Sequence, residues 1–188
     1  HNGLGLALRK QGKLDEAIAC HKEAIRLEPA DTSGHCNLGN ALGKQGKLDE
    51  AIACHKEVVR LEPADAKAHY NLGIALHAKR RLDEAIAAYR EAIRLKADFA
   101  EAHGNLATVL RDKGCLDDAI TIMRHVIQLK PDLPIAHCNL GYSLQAKGKV
   151  DEAIACFNEA IRLKADYVEA HGNLGVAPET RLSVRVTH

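Results

Sequence analysis

Apolar residues recur three and four positions apart along the chain, in short segments separated by turn residues. His1, Leu4, Gly5 and Leu8 follow the i, i+3, i+4, i+7 spacing, which places them on one face of an α-helix. The next segment, 14–27, carries a wider apolar stripe, and a stripe of that width has to contact more than one neighbour. The pattern therefore predicts pairs of helices that pack on each other and on the following pair.

The two-helix pattern repeats at a fixed interval along the chain. The motif HYNLGIAL recurs, with changes, at His35, His69, His103 and His137. The motif LDEAIA and its variants begin at Leu14, Leu48, Leu82, Leu116 and Val150. A period of about 34 residues with two helices in each period is typical of a solenoid of stacked units, and not of a domain with one central core. Small residues that recur with the period, among them Ala17, Ala51 and Ala85, allow paired helices to approach closely.

Turn residues set the expected helix limits. Gly12 ends the first helix, since glycine adopts positive φ freely, and repeat three has Arg80 at the same place, at a cost of about 1 kcal/mol if the backbone is left-handed. We predict that Asp15 caps the second helix, and we interpret the recurring acidic pairs, such as Asp83 and Glu84, in the same way. The predicted helices are 1–11, one starting at Asp15, 34–45, 49–61, 67–79, 83–95, 101–113, 117–129, 135–147 and 151–163.

The repeat resembles the tetratricopeptide repeat (TPR). In repeat three the matching residues are His69, Leu72, Gly73, Leu76, Ala85, Tyr89 and Ala97, against the TPR pattern W-x2-L-G-x2-Y, A-x3-F and P. Histidine replaces the tryptophan, and other copies keep the proline as Pro29, Pro63 and Pro131. The resemblance implies an all-α fold, a right-handed superhelical solenoid of antiparallel helix pairs, with a concave face that binds extended peptides.

The repeats are expected to fill residues 1–177. Their limits are about 1–31, 32–65, 66–99, 100–133 and 134–167, and a partial sixth helix follows at 168–177. Residues 178–188 do not continue the pattern, because Pro178 stops the helix and the apolar residues after it alternate as in an extended chain. We expect this tail to be a candidate occupant of the groove of a neighbouring molecule.

Composition narrows the possible functions. The chain has 26 Lys and Arg against 25 Asp and Glu, a net charge of +1, which gives no argument for nucleic acid or an anionic membrane as partner. No apolar run approaches the roughly 20 residues of a membrane span. The six cysteines follow the repeat and form no CxxC pair, so we expect reduced thiols in a cytoplasmic protein.

The recurring histidines are interpreted as a half-buried packing position. The column consists of His1, His35, His69, His103, His137 and His171. Adjacent helices lie about 8–10 Å apart, whereas zinc ligands lie about 2 Å from one ion, so we expect no metal. If these histidines pack in the neutral form, burial lowers their pKa and stability falls as pH drops from 7 to 5.

Catalytic motifs are not found in the sequence. It contains no GxSxG, no P-loop and no glycine-rich motif that opens a helix after a strand. His and Cys recur as columns of equivalent positions, whereas a catalytic site needs one asymmetric set of groups. We expect a non-enzymatic chain without a cofactor.

A column of asparagines provides the candidate binding site. It consists of Asn37, Asn71, Asn105, Asn139 and Asn173, each about 200° around the helix from the histidine. A carboxamide offers a donor and an acceptor, which match the two hydrogen-bonding groups of a peptide unit. The column resembles the asparagine ladder in the TPR arm of O-linked N-acetylglucosamine transferase, which implies binding of extended polypeptide backbone.

Helical spacing predicts further residues in the same groove. They are Asn40, Lys67, Tyr70, Ile74, His77, Thr108, Arg111 and Tyr142. The first interpretation is a protein-interaction scaffold that binds an extended peptide or protein segment. The alternatives are the substrate-recognition arm of a larger glycosyltransferase or kinase, and a module that forms homo-oligomers by end-to-end stacking or by tail insertion.

Overall fold

The computed structural model describes residues 2–164, and every regular element in that range is an α-helix. The helices are α1 (Asn2–Lys10), α2 (Leu14–Leu27), α3 (Thr32–Lys44), α4 (Leu48–Leu61), α5 (Ala66–Ala78), α6 (Leu82–Leu95), α7 (Ala100–Asp112), α8 (Leu116–Leu129), α9 (Pro134–Ala146) and α10 (Val150–Leu163). Each predicted helix end up to residue 163 lies within two residues of these limits, and the predicted partial sixth helix at 168–177 lies outside the described residues. The periodicity of the sequence therefore predicts the helices correctly.

The chain divides into two compact units between Lys113 and Gly114. In the first unit, α1 to α7 pack in chain order, each on the next, and α1 also contacts α3 as α5 contacts α7. In the second unit α9 packs between α8 and α10. The buried alanines predicted at the helix crossings are in place, since Ala17, Ala51 and Ala85 are inaccessible to solvent.

Left-handed residues end the first helix of a repeat, as predicted. Gly12, Gly46, Gly114 and Gly148 have φ between 77° and 86°, and Arg80 has φ 64°. At Arg80 the amide of the next residue, Arg81, donates to the carbonyl of Leu76 at 2.9 Å. The turn provides hydrogen-bond donors for carbonyls that have no partner at the helix end. It forms even at Arg80, where no glycine is present.

The predicted capping role of Asp15, and of Asp83 with Glu84, is wrong. The N-cap positions are Lys13 and Arg81, neither of which makes a side-chain cap bond, and the helices begin one residue before the aspartate. An acid in the first turn is still favoured by the helix dipole. Its carboxylate, however, bonds to the next repeat.

These bonds between repeats recur with a separation of 30 residues. The Nε2 of Gln45 donates to Asp15 at 2.6 Å, and the ammonium of Lys79 donates to Asp49 at 2.8 Å. Lys113 pairs with Asp83 in the same way, and Lys147 with Asp117 in the second unit. Each pair joins the end of one repeat's first helix to the start of the preceding repeat's second helix.

The histidine column is half-buried and has a structural hydrogen bond. The Nε2 atoms of His35, His69 and His103 lie 3.0 Å from the carbonyl oxygens of Pro29, Pro63 and Ala97 respectively. Because a carbonyl only accepts, each Nε2 donates. His137 makes the equivalent bond to Pro131, while His1 and His171 lie outside the described residues. The column ties each first helix to the turn before it.

The structure places lowered histidine pKa values on the second helices. Burial is the main cause that lowers the pKa of His21, and it lowers the pKa of His55 to about 4. Both side chains are buried. The sequence assigns the acid sensitivity to the histidine column. From the lowered pKa values we instead expect it at His21 and His55.

Candidate functional site

The asparagine column connects successive repeats in the first unit. The Nδ2 of Asn71 donates to the Sγ of Cys36 at 3.4 Å, and the Nδ2 of Asn105 donates to the Oη of Tyr70 at 3.2 Å. The three members of the column in this unit, Asn37, Asn71 and Asn105, are half-buried. Asn37 makes no side-chain hydrogen bond with the residues that the structure describes. Asn71 and Asn105 thus use one N–H within the chain and are held at fixed positions.

Cys36 is an acceptor for two amides. Asn40 also approaches its Sγ, at 3.8 Å, and burial is the main cause that raises the pKa of the Cys36 thiol. A thiol with a raised pKa stays protonated at neutral pH and is a poor nucleophile. The cysteine therefore orients Asn40 and Asn71 and gives no sign of covalent chemistry.

Tyr70 packs between helices. Its ring centroid lies 4.8 Å from that of Phe99 and 6.0 Å from that of Tyr89. It also accepts the hydrogen bond from Asn105, and burial raises its pKa. The sequence predicts Tyr70 to contact a ligand directly, and in the structure it supports the Asn105 amide and the contact between α5 and α7.

His77 is paired within the chain. Its Nε2 lies 2.9 Å from the Oδ2 of Asp112, which also accepts from Arg80 at 2.8 Å. The hydrogen bond from His77 is the main cause that lowers the pKa of Asp112. The sequence predicts His77 as a groove residue. In the structure its imidazole is hydrogen-bonded to Asp112 of the same chain.

The remaining predicted residues differ in exposure. Lys67 is exposed, Ile74 is 43 % exposed, and Thr108 is half-buried with its hydroxyl donating to the carbonyl of Gly104. Arg111 is half-buried. In the second unit Asn139 and Tyr142 are half-buried on α9, and Tyr142 contacts the ring of Phe157 edge-on at 5.5 Å. Asn173 and the tail 178–188 lie outside the described residues.

A pocket of about 390 Å³ opens beside Asn71 in the first unit. Three of the predicted residues line it: Asn40, Asn71 and Ile74. Its other walls were not predicted from helical spacing, and they are Arg9, Gly39, Gly43, Lys44, Leu48, Ala51, His55, Ala75 and Ala78. The signal was present in the repeat alignment, where Gly43 stands in a column that elsewhere holds Arg9, His77, Arg111 and Gln145.

Gly43 opens the pocket because it has no side chain. A Cβ built there would have only one neighbour, the Cβ of Ala51 at 4.0 Å. Small residues on α5, Ala75 and Ala78, form the opposite wall, and His55 on α4 contributes its ring. The pocket thus has small and apolar walls with two amides, Asn40 and Asn71, at its side.

The described residues also lack two features. No three or more His, Cys, Asp or Glu side chains in residues 2–164 are grouped as metal ligands would be. Among the helices α1 to α10 none has the length and the apolar character that a membrane crossing needs.

Comparison with known families identifies the repeat. Two models described as tetratricopeptide repeat match residues 36–98 and 76–147, and one described as TPR repeat matches 5–46 and 144–178. Together these matches cover residues 5–178. The chain belongs to the tetratricopeptide repeat family. The fold class predicted from the sequence is therefore confirmed, and the described helices are the helix pairs of TPR units.

Solved TPR structures match the chain over most of its length. A crystal structure of MamA has 29 % identity and a TM-score of 0.76, over 88 % of this chain and 96 % of its own. YrrB, titled a TPR protein with an unusual peptide-binding site, has 20 % identity and a TM-score of 0.72, over 93 % and 90 %. A TPR protein of Thermus thermophilus has 22 % identity and a TM-score of 0.73, over 93 % and 95 %.

At the identities of the last two proteins, the likeness shows the fold alone. A search of curated proteins gives no significant match. The comparisons support an interaction scaffold of the TPR type, and they do not single out the repeat arm of O-linked N-acetylglucosamine transferase.

Proposed function

We propose that this TPR chain binds an extended polypeptide segment through the asparagine ladder. The observation that carries the proposal is the position of Asn37, Asn71 and Asn105 on α3, α5 and α7, at the same place in three successive repeats. An amide has two N–H groups and one carbonyl oxygen. Asn71 uses one N–H within the chain, which leaves a donor and an acceptor to match a peptide unit. Asn105 bonds to the hydroxyl of Tyr70 and also interacts with that of Tyr89, which leaves its carbonyl oxygen as an acceptor.

The proposed site includes the residues beside the ladder. In the first unit these are Asn40, Lys67, Tyr70, Ile74, His77, Thr108 and Arg111. In the second unit the proposal assigns the same role to Asn139 and Tyr142. YrrB is titled as having a peptide-binding site, and this supports the class of ligand without assigning any residue here.

The ladder favours a scaffold over an enzyme, because its groups repeat. Each repeat presents an equivalent amide, and equivalent amides suit a ligand that itself repeats, as a polypeptide backbone does. Cys36, the nucleophile nearest to the ladder, is held protonated by burial, which raises the pKa of its thiol. The proposed activity is therefore binding, and the ligand's side chains are read more weakly than its backbone.

Substitution of the ladder tests the proposal. Each lost hydrogen bond weakens binding by about 0.5–1.5 kcal/mol, so the Asn71→Ala/Asn105→Ala double variant should bind peptides from an array about tenfold more weakly. Asn158 is an exposed asparagine on α10, a second helix that carries none of the ladder, and Asn158→Ala should leave binding unchanged. Equal binding by all three proteins would contradict the ladder.

The internal bonds of Asn71 and Asn105 require a second variant. Their removal also breaks the contacts with Cys36 and Tyr70, so a loss of binding could follow from a loosened repeat. Asn37 has no such bond among the described residues. A loss of affinity in Asn37→Ala, with an unchanged melting temperature, would assign the effect to the ligand.

The tail stays an untested prediction. A synthetic peptide of residues 178–188 can be titrated into the chain shortened at residue 177. Saturable binding that the double variant loses would support tail insertion as a route to homo-oligomers, and absence of binding would rule the tail out as an occupant.

A further inference from the structure

The pocket beside Gly43 differs from its counterpart in the next repeat. Moved one repeat along the chain, four of its wall positions become larger. His77 stands at the position of Gly43, Asp112 at that of Ala78, Tyr89 at that of His55 and Val109 at that of Ala75, while the positions of Arg9 and Lys44 become Gly43 and Ala78. The chain thus fills the larger positions with aromatic rings and an aliphatic side chain, and with a carboxylate from repeat four.

The chemistry of that filling is visible in the structure. The His77 imidazole and the Asp112 carboxylate are hydrogen-bonded at 2.9 Å, and the Asp112 carboxylate also takes a bond from Arg80. Tyr89 is 1 % exposed. The imidazole ring of His77 thus lies beside the Asp112 carboxylate, which also accepts from the Arg80 guanidinium.

At the pocket beside Gly43 cations are present and a carboxylate is absent. Arg9 and Lys44 both line the pocket, and neither forms an ion pair with any residue in the described part of the chain. None of the residues that line this pocket is acidic. The positive charge at this pocket is therefore available to a ligand.

His55 gives a second indication of a ligand. Its side chain is 3 % exposed and lines the pocket, and its Nδ1 has no hydrogen-bond partner among the described residues. A buried polar atom without a partner is unfavourable by about 1–3 kcal/mol, so native structures rarely leave one. A ligand that enters the pocket would reach the ring of His55.

We propose that this pocket binds an aromatic side chain of an acidic polypeptide segment, with the ligand's carboxylate placed against Arg9 and Lys44. This proposal rests on the proposed function, since the backbone of the same segment lies along Asn40 and Asn71. The volume of about 390 Å³ falls within the usual range of ligand pockets, about 300–1,000 Å³. At this pocket the ligand supplies the aromatic ring and the carboxylate that the chain supplies from His77 and Asp112 one repeat later.

The charge of the site also ranks the possible ligands. The tail 178–188 contains Arg181 and Arg185, one acidic residue and no Phe, Tyr or Trp. Arg9 and Lys44 repel a basic segment, so the tail should be a weaker ligand of this pocket than an acidic aromatic peptide. A lysine-containing peptide should be disfavoured for the same reason.

Filling the pocket from within the chain tests the proposal. Gly43→His with Ala78→Asp reproduces the pair of His77 and Asp112, and the open space around the Gly43 Cβ admits the new side chain. The control Asn158→Ala changes an exposed side chain that is not among the residues lining the pocket. Circular dichroism and melting temperature establish that each variant is folded.

The probes are four synthetic peptides in a serine–alanine background. One has a central phenylalanine between two glutamates, and the others replace the phenylalanine by alanine, the glutamates by glutamines, or the glutamates by lysines. Binding is measured by fluorescence anisotropy at low and high salt. Burial of one aromatic side chain is worth about ten- to hundredfold in affinity.

The expected result is a preference of at least about tenfold for the phenylalanine–glutamate peptide, reduced by salt. Gly43→His/Ala78→Asp should lose that preference and Asn158→Ala should keep it. If the four peptides bind equally, or if the filled variant keeps the preference, the pocket proposal is overturned and the ladder stands. If none of these or any array peptide binds the chain, both proposals fail.

Discussion

The ring of Tyr89 lies directly against the backbone of Gly73. A Cβ built on Gly73 would be 2.6 Å from the Cε1 atom of Tyr89. Such a distance is not tolerated between carbon atoms, so the glycine is required by the ring on the partner helix. The same relation holds between Gly39 and His55.

We predict that Gly73→Ala destabilises the chain although alanine is the better helix former. Tyr89 is fully buried and cannot move aside without displacing its neighbours, and overpacking of this kind costs about 1–3 kcal/mol. Urea denaturation monitored by circular dichroism gives the free energy of unfolding of the wild type and the variant. A more stable Gly73→Ala chain would contradict the proposed contact.

Gly43→Ala provides the matched comparison at a second helical glycine. Gly43 is also inside a helix, and its Cβ would have only the Ala51 Cβ at 4.0 Å as a neighbour. We expect this substitution to stabilise the chain by about 0.5–1 kcal/mol, because alanine loses less backbone entropy on folding. If Gly73→Ala lowers the free energy of unfolding and Gly43→Ala raises it, the loss at Gly73 is due to close packing and not to helix propensity.

Ala85→Leu tests the crossing of the paired helices. Ala85 is 0 % exposed, so the larger side chain has no free volume to enter. The expected loss is about 1–3 kcal/mol in the free energy of unfolding. A denaturation curve with an unchanged midpoint and an unchanged slope would show that the crossing has room for a larger side chain.

Arg80 combines a strained backbone with an ion pair. Its φ of 64° costs about 1 kcal/mol relative to glycine, while the pair with Asp112 is partly exposed, with side-chain accessibilities of 65 % and 28 %, and is worth about 0–1 kcal/mol. We expect Arg80→Gly to be neutral or slightly stabilising. Arg80→Ala keeps the strain and loses the pair, so it should be less stable than Arg80→Gly by about 1 kcal/mol. Equal stability of the two variants in urea denaturation would contradict the strain.

His55 makes stability depend on pH. Burial lowers its pKa from 6.5 to about 4 in the folded chain, so between these values the unfolded chain binds the proton more readily. The contribution is fully present above pH 6.5 and is lost as pH falls toward 4. Its size is about 3 kcal/mol, at about 1.36 kcal/mol for each pKa unit.

A variant without the imidazole isolates this effect. Phe157 occupies the equivalent position in repeat five, so His55→Phe is a substitution that the repeat accommodates. Unfolding free energies at pH 7 and pH 5 should fall more steeply for the wild type than for His55→Phe. Parallel losses in the two proteins would assign the acid sensitivity to other groups.

The fold could be predicted from the sequence because each repeat carries the same spacing of apolar and turn residues. A helix limit that is ambiguous in one copy is fixed by another, as the glycine at 46 fixes the turn at Arg80. The error at Asp15 has a local cause. An aspartate at a helix start is consistent both with capping and with a bond to a neighbouring repeat, and only the three-dimensional arrangement shows Gln45 within reach.

The candidate site was less predictable, since it depends on departures from the repeat. The ladder follows from the shared position of Asn71 and its equivalents. The pocket follows from the absence of a side chain at Gly43, and its depth depends on Ala78 and His55 on two other helices. Sequence spacing placed His77 in the groove, but it could not show that Asp112 would pair with it.

The bonds between repeats have a consequence for the length of the molecule. Lys79 with Asp49 and Lys113 with Asp83 each span 30 residues, and the bonds of Asn71 and Asn105 span 35. The other bonds between repeats named above, Gln45 with Asp15, His77 with Asp112 and Arg80 with Asp112, also span 30 to 35 residues. A duplicate of residues 66–99 inserted after Phe99 would therefore have, on each side, a repeat with which it can form the same bonds. The first unit can be lengthened one repeat at a time, and each added repeat would extend the row of asparagines by one.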